Sequence, residues 1–157
     1  MATPLLGTGY GLWIDFTTPI GTNDRGTEAN YKLVACSTET GMDFNRDETD
    51  TSNKCDEGYS SSVPGLANWN FNFNGQAVSL VVGETDKTNY QKLLELAKAG
   101  QTFFSKLTST EDEDYIREGK TYITSFNETQ PNQAVIAVTA TFKGVGELFI
   151  TPEVVTP

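Results

Sequence analysis

Apolar and polar positions alternate along most of this chain, and the clearest run is Asn68–Asn74. There Trp69, Phe71 and Phe73 point one way and Asn68, Asn70, Asn72 and Asn74 the other. A period of two without a break over such a stretch predicts a strand with one buried and one wet face. Shorter alternating runs surround it. Tyr10, Leu12, Ile14 and Phe16 share a face of a first strand; Tyr31, Leu33 and Ala35 share a face of a second, ending at Cys36. Met42 and Phe44 stand opposite Asp43 and Asn45 in a third, and Val78, Leu80 and Val82 follow Gly75. Later strands are expected at Thr102–Leu107, Lys120–Asn127, Ala134–Lys143 and Glu147–Ile150, with Gly119, Pro131, Gly144, Gly146 and Pro152 as punctuation.

One segment changes period. Thr88 and Gln91 have capping-box spacing, Tyr90, Leu93, Leu94 and Ala97 follow at helical spacing, and Gly100 supplies a stop. This predicts a single helix at about 88–99 with Thr88 as its N-cap. Many strands and one helix imply a mainly β fold, a β-sandwich or rolled barrel with that helix on a flank. Asp47–Gly65 reads as a long irregular loop, with five acids (Asp47, Glu48, Asp50, Asp56 and Glu57) against one base, Lys54. Loops of that length inside compact domains are usually functional or disordered. Glu111–Glu118 reads as a solvated acidic connector.

Composition narrows the function. The chain has 157 residues, enough for one domain with its own core, and 21 acids against 11 bases give a net charge of −10. That balance repels phosphates and argues against DNA reading or a role on an anionic membrane surface. There is no histidine, which removes His-based catalysis and His-ligated metal sites. The first residues, Met1 to Phe16, lack a basic segment followed by an apolar run, and no apolar run approaches the roughly 20 residues that span a bilayer. A cytoplasmic site of synthesis follows, where Cys36 and Cys55 stay reduced; a Cys36–Cys55 bridge is the other arrangement.

Candidate chemistry is sparse. Asp43, Asn45 and Asp47 match the opening ligands of an EF-hand loop, but Glu48 stands where glycine is needed and Lys54 where the closing glutamate belongs. Glu111-Asp112-Glu113-Asp114 are adjacent acids, which rarely converge on one ion. A glycosidase needs only two carboxylates, with Trp13 or Trp69 to stack a sugar, yet nothing fixes a pair at the required spacing and Trp69 shares a face with two phenylalanines. Neither cysteine has a basic neighbourhood that would activate it, and the Asn127-Glu128-Thr129 sequon has no meaning without secretion. No catalytic, cofactor or metal site is expected. The remaining feature is the strand face of Asn68, Asn70, Asn72 and Asn74, polar yet uncharged.

The run Asp50-Thr51-Ser52-x-Lys54-x-x-x-Gly58, followed by Pro64-Gly65-Leu66-x-x-Trp69 and a strand ending at Gly75, resembles the major tail (tail tube) proteins of long-tailed phages. The order of later elements, one short helix, a strand and two long strands, is similar too. A long first linker at Asn23–Asn30 and the two cysteines depart from the family pattern. The resemblance implies one tail-tube-like domain over residues 1–157, with the 47–65 loop projecting from it. It implies hexameric rings that stack into a hollow tube, contacts with other tail proteins, and a genome that passes through without specific binding. It also implies a place in the virion tail after assembly in the host cytoplasm, with no catalysis, cofactor or membrane. On this reading Asp50, Thr51, Ser52, Lys54, Gly58, Pro64, Gly65 and Leu66 are contacts between subunits or rings. Asn68, Asn70, Asn72 and Asn74 are the candidate lumen face. The alternative is an all-β module that binds carbohydrate or a cell surface.

Overall fold

In the computed structural model, residues 10–21, 25–35, 37–53, 55, 58–77, 87–109 and 116–151 are described. The elements are β1 (Tyr10–Asp15), β2 (Lys32–Val34), β3 (Ser37–Asp50), β4 (Ser62–Gln76), β5 (Lys87–Thr88), α1 (Tyr90–Ala99), β6 (Phe103–Ser109), β7 (Ile116–Thr129) and β8 (Ala137–Thr151), with a 3-10 turn at Glu28–Asn30. All eight strands hydrogen-bond into one sheet in the order β3-β4-β8-β7-β6-β1-β2-β5. Neighbours are antiparallel except for the β2–β5 pair. The sheet rolls on itself: β1 and β3 come within 8 Å although four strands separate them in the order. The fold is mainly β with one flanking helix, as the residue pattern predicts.

The concave face of the roll holds the core. β1 contributes Leu12 and Ile14, β2 Val34, β4 Trp69, Phe71 and Phe73, β6 Phe103 and Leu107, β7 Ile123, and β8 Val138, Ala140 and Phe142. Helix α1 lies against β7 and adds Leu93 and Leu96. The aromatic rings meet obliquely: Trp69 and Phe71 are tilted with centroids 5.1 Å apart, and Phe103 meets Phe142 edge-on at 5.8 Å. Such geometry adds to the area these rings remove from water.

Several expected boundaries move. Thr88 does not cap the helix. It belongs to β5 opposite Val34, and its carbonyl accepts from the Ala35 amide at 2.9 Å. Asn89 takes the N-cap place without a side-chain bond. The buried stripe runs through Leu93 and Leu96, and Leu94 is exposed. Gly100 ends the helix in the left-handed region at φ 64°, and the Gly100 and Gln101 amides close the last turn on Ala97 and Leu96. In β2 the buried residue is Val34, while Leu33 and Ala35 are half-buried. The two C-terminal strands expected around Gly144 and Gly146 are one continuous β8. Residues 116–118 of the expected acidic connector are strand β7. Glu111–Asp114, the strand at Val78, Leu80 and Val82, and Cys36 lie outside the described residues.

Two buried polar groups tie loops to the roll. Asp15 is fully buried; its carboxylate accepts the amides of Thr17 and Thr18 at 3.0 Å each and of Thr27 at 2.9 Å, and the hydroxyl of Thr18. Burial pushes this carboxyl up, but the donors from Thr18, Thr27 and Thr17 together outweigh it and hold it below the usual value. Tyr31 donates to Glu118 of β7, and burial followed by that acceptor's charge raises the phenol. Lys106 lies 4.4 Å over the Tyr31 ring and pairs with Glu28 at 2.9 Å.

Candidate assembly surfaces

Strand β4 has two regimes. From Asn70 to Gly75 it pairs with β3 on one side and β8 on the other. From Trp69 back to Ser62 it pairs with β3 alone. The β3–β4 hairpin therefore leaves the body as a two-stranded ribbon, from the Phe44–Trp69 pair to the Asp50–Ser62 pair. Seven residues at about 3.3 Å each give it a length of roughly 20 Å. The segment expected as an irregular loop from 47 to 65 is thus strand at both ends, up to Asp50 and from Ser62. Both faces of the ribbon are wet, so its side chains carry no apolar alternation that would reveal a strand.

The sequence motifs now have structural reasons. Pro64-Gly65-Leu66 lies at a register shift: Arg46 pairs with Ala67, but Glu48 pairs with Pro64. One residue of β3 faces two of β4, a bulge that bends and twists the ribbon. Gly65 fits because a Cβ there would stand 3.1 Å from the Asp47 carbonyl oxygen, and Arg46 donates to the Gly65 carbonyl at 3.0 Å. Leu66 is thrown out to 83% exposure. Pro64 lacks an amide hydrogen and sits where β4 has no β8 partner.

Trp69 anchors the ribbon to the body. Its indole lies over Gly119 and Gly144, where an added Cβ would approach ring atoms to 2.6 and 2.2 Å, and its Nε1 donates to the Gly146 carbonyl at 3.0 Å. At the far end Asp50-Thr51-Ser52 closes the turn. The Asp50 carboxylate accepts the Ser52 amide at 2.8 Å, Thr51 bonds Ser61 through backbone and side chain, and Ser52 Oγ accepts the Ser61 amide at 2.7 Å. The Ser52 hydroxyl and then its amide hold the Asp50 carboxyl below its usual value. Gly58 lies in the turn at φ 86°, a conformation that suits glycine. Lys54 is outside the described residues, and Cys55 is a free, exposed thiol. The structure thus brings Asp50, Thr51 and Ser52 together at the tip and Pro64, Gly65 and Leu66 together at the bulge.

The four asparagines do share one face, and the register shows that it continues beyond β4. Asn68, Asn70, Asn72 and Asn74 stand beside Asn45, Asp43, Gly41 and Glu39 of β3. Asn70, Asn72 and Asn74 stand beside Lys143, Thr141 and Thr139 of β8, which in turn pair with Tyr122, Ser125 and Asn127 of β7. This is a four-strand convex surface rich in amides and hydroxyls that also carries the charges of Glu39, Asp43 and Lys143. The β7 and β8 members were missed because only pairing register, not local sequence, puts them beside the asparagines. Asp43 and Asn45 are rungs of this ladder rather than calcium ligands: Asn72 donates to Asp43 at 2.7 Å. Among the described residues no group of three or more His, Cys, Asp or Glu could hold a metal ion, and no helix is long and apolar enough to cross a membrane.

Neither a family model nor a curated protein matches this sequence. Solved structures do. A chain of the virion of a native gene transfer agent particle superposes with a TM-score of 0.70 at 15% identity, covering 94% of this chain and 99% of that one. A chain from the tail of an empty particle of that kind, refined with helical C6 symmetry, gives 0.70 at 16% identity with the same coverage. The SPP1 tail tube gives 0.64 at 16% identity, over 94% of this chain and 80% of that one. The chain has a tail-tube fold. At these identities the likeness is one of architecture, and it extends across nearly the whole described roll.

Proposed function

We propose that this chain is the structural subunit of a phage-type tail tube, a protein without catalytic activity or cofactor. Six copies close a ring, rings stack, and the hollow bore conducts the genome from the virion during ejection. The observation that carries this reading is the near end-to-end correspondence with chains of two tail assemblies, one refined with C6 symmetry. The long ribbon and the amide-rich sheet face give that architecture its two working parts. The ribbon, with Asp50, Thr51 and Ser52 at its tip and Pro64, Gly65 and Leu66 at its bulge, reaches an adjoining subunit or ring.

The asparagine face lines the bore. Amides and hydroxyls hold water without offering the row of cations that would capture phosphates, and the net charge of −10 opposes DNA adhesion at longer range. The genome therefore slides. The subunit assembles in the host cytoplasm, joins other tail proteins and ends in the virion. Negative-stain electron microscopy of the purified protein tests the proposal: rings or tubes with a central channel are expected, and a dispersed monomer at all concentrations refutes it. Assembled protein should also bind duplex DNA no better than albumin does. Micromolar binding at about 0.15 M salt with a steep salt slope would remove the bore assignment.

A further inference from the structure

Asn74 is the one asparagine in the chain that precedes a glycine. A following glycine has no Cβ to shield its amide nitrogen, so that nitrogen can reach the asparagine side chain once the backbone is free to turn. The structure puts this pair at a corner of the sheet. β4 ends at Gln76, just beyond Gly75, and β3, the edge strand beside it, begins at Ser37, which pairs with Gly75. Between the Ser37–Gly75 and Glu39–Asn74 rungs the register shifts, so Thr38 is a bulge residue without a rung of its own. Its hydroxyl donates to the Asn74 carbonyl at 3.2 Å. On the other side Asn74 and Gly75 pair with Thr139 and Val138 of β8. Gly75 is buried and Asn74 half-buried. Asn72 donates to Asp43 at 2.7 Å, whereas the Asn74 side chain has no hydrogen-bond partner among the described residues.

We propose that Asn74 is a deamidation site that the sheet corner holds closed, with Thr38 as its latch, and that fraying of the corner opens. The paired, extended backbone keeps the Gly75 nitrogen from turning onto the Asn74 side chain. Strand ends open at lower free energy than strand centres, and here the start of β3 and the end of β4 coincide. In the reaction Gly75 N loses its proton and bonds to Asn74 Cγ, the Cγ–Nδ2 bond breaks, and ammonia leaves. Water then opens the cyclic imide at either carbonyl to give aspartate or isoaspartate. The balance is amide plus water to carboxylate plus ammonium, so no oxidant is needed. Either product sets a carboxylate opposite Glu39, and like charges on facing rungs destabilise a pair of strands. Isoaspartate also adds a methylene carbon to the backbone, which spoils the register of the last rungs. A corner that has opened once is therefore left looser than before. The site stands independently of the tail-tube reading.

Peptide mass spectrometry tests it on the full chain, incubated at mildly alkaline pH both folded and in urea. In urea Asn74 should react before every other asparagine, Asn53 of the ribbon turn included. In the folded chain it should react about tenfold or more slowly than in urea, because only the open population reacts. Thr38→Val should raise the folded rate about threefold or more by removing the hydroxyl that holds the Asn74 carbonyl. Thr38→Ser should keep the parental rate, and Asn74→Gln should abolish the product. Hydrogen exchange of the parent needs no variant: the Gly75 amide should exchange ahead of the Phe71 amide. A Thr38→Val chain that reacts at the parental rate overturns the latch. Equal rates folded and in urea, equal protection of Gly75 and Phe71, or another asparagine reacting first in urea overturns the proposal.

Discussion

Within the single strand β4 the chain behaves in two ways. Between Asn70 and Gly75 every rung is paired on both sides, and Phe71 and Phe73 are buried in the core. Between Ser62 and Ala67 one partner remains, and Val63 and Leu66 stand in solvent. The body derives its stability from apolar area removed from water. The ribbon depends on backbone bonds and on the hydrogen bonds of Asp50, Thr51 and Ser52 at its turn. Trp69 sits at the border, buried like the body but holding the base of the ribbon. One strand thus serves first as scaffold and then as an extended arm, and the change occurs where β8 diverges.

The comparison can be broken most sharply in the body. Phe71→Ala empties a fully buried site next to Trp69 and should cost about 3–5 kcal/mol in urea unfolding. A loss below about 1 kcal/mol would mean that the roll does not depend on this cluster. At the border, Gly144→Ala puts a Cβ where the Trp69 ring lies. It should cost about 1–3 kcal/mol and change the indole fluorescence, whereas Gly41→Ala, with open space at the Cβ position, should leave the fluorescence alone.

A comparable cost is expected at Asp15. Asp15→Asn replaces an acceptor oxygen by a donor against the Thr18 and Thr27 donors and should lose about 1–3 kcal/mol. The folded carboxyl is held below its unfolded value of 3.8. Its contribution is therefore complete above that value and disappears as pH falls through the lower folded one. In the ribbon, Asp50 follows the same sign. Acidification below the ordinary carboxylate range should release the Ser52 amide, seen as a titrating amide shift in NMR, while the body's melting stays unchanged by this group.

The smallest effect on stability should come from the ribbon itself. Replacing Thr49–Ser62 by a short Gly/Ser turn should move unfolding by no more than about 0.5 kcal/mol, since none of its described residues is buried, and yet it should abolish tubes. Proteolysis sharpens the same contrast: cleavage should fall in the ribbon of the free subunit first and be suppressed after assembly. Normal tubes from the shortened chain would show the ribbon to be decoration.

Local sequence determined the periodicities. Alternation at Asn68–Asn74 and Tyr10–Phe16 identified strands and their buried faces, because a one-sided sheet writes its burial into every second residue. Leu93 and Gly100 likewise announced the helix and its end. The Asp-Thr-Ser and Pro-Gly-Leu-x-x-Trp motifs were legible as a resemblance, but their work as turn lock, bulge and anchor was not. Tertiary structure decided what pairing register and approach distance control. The ribbon's strands lacked an apolar face to reveal them, Thr88 was taken by a strand partner elsewhere in the chain, and Gly144 looked like a break until Trp69 filled the space it leaves. The breadth of the amide face is of the same kind, since Asn72, Thr141 and Ser125 lie side by side only after β4, β8 and β7 pair. Periodicity is written between neighbours in the chain; register is set by bonds between residues far apart in it, and those form only when the whole sheet does.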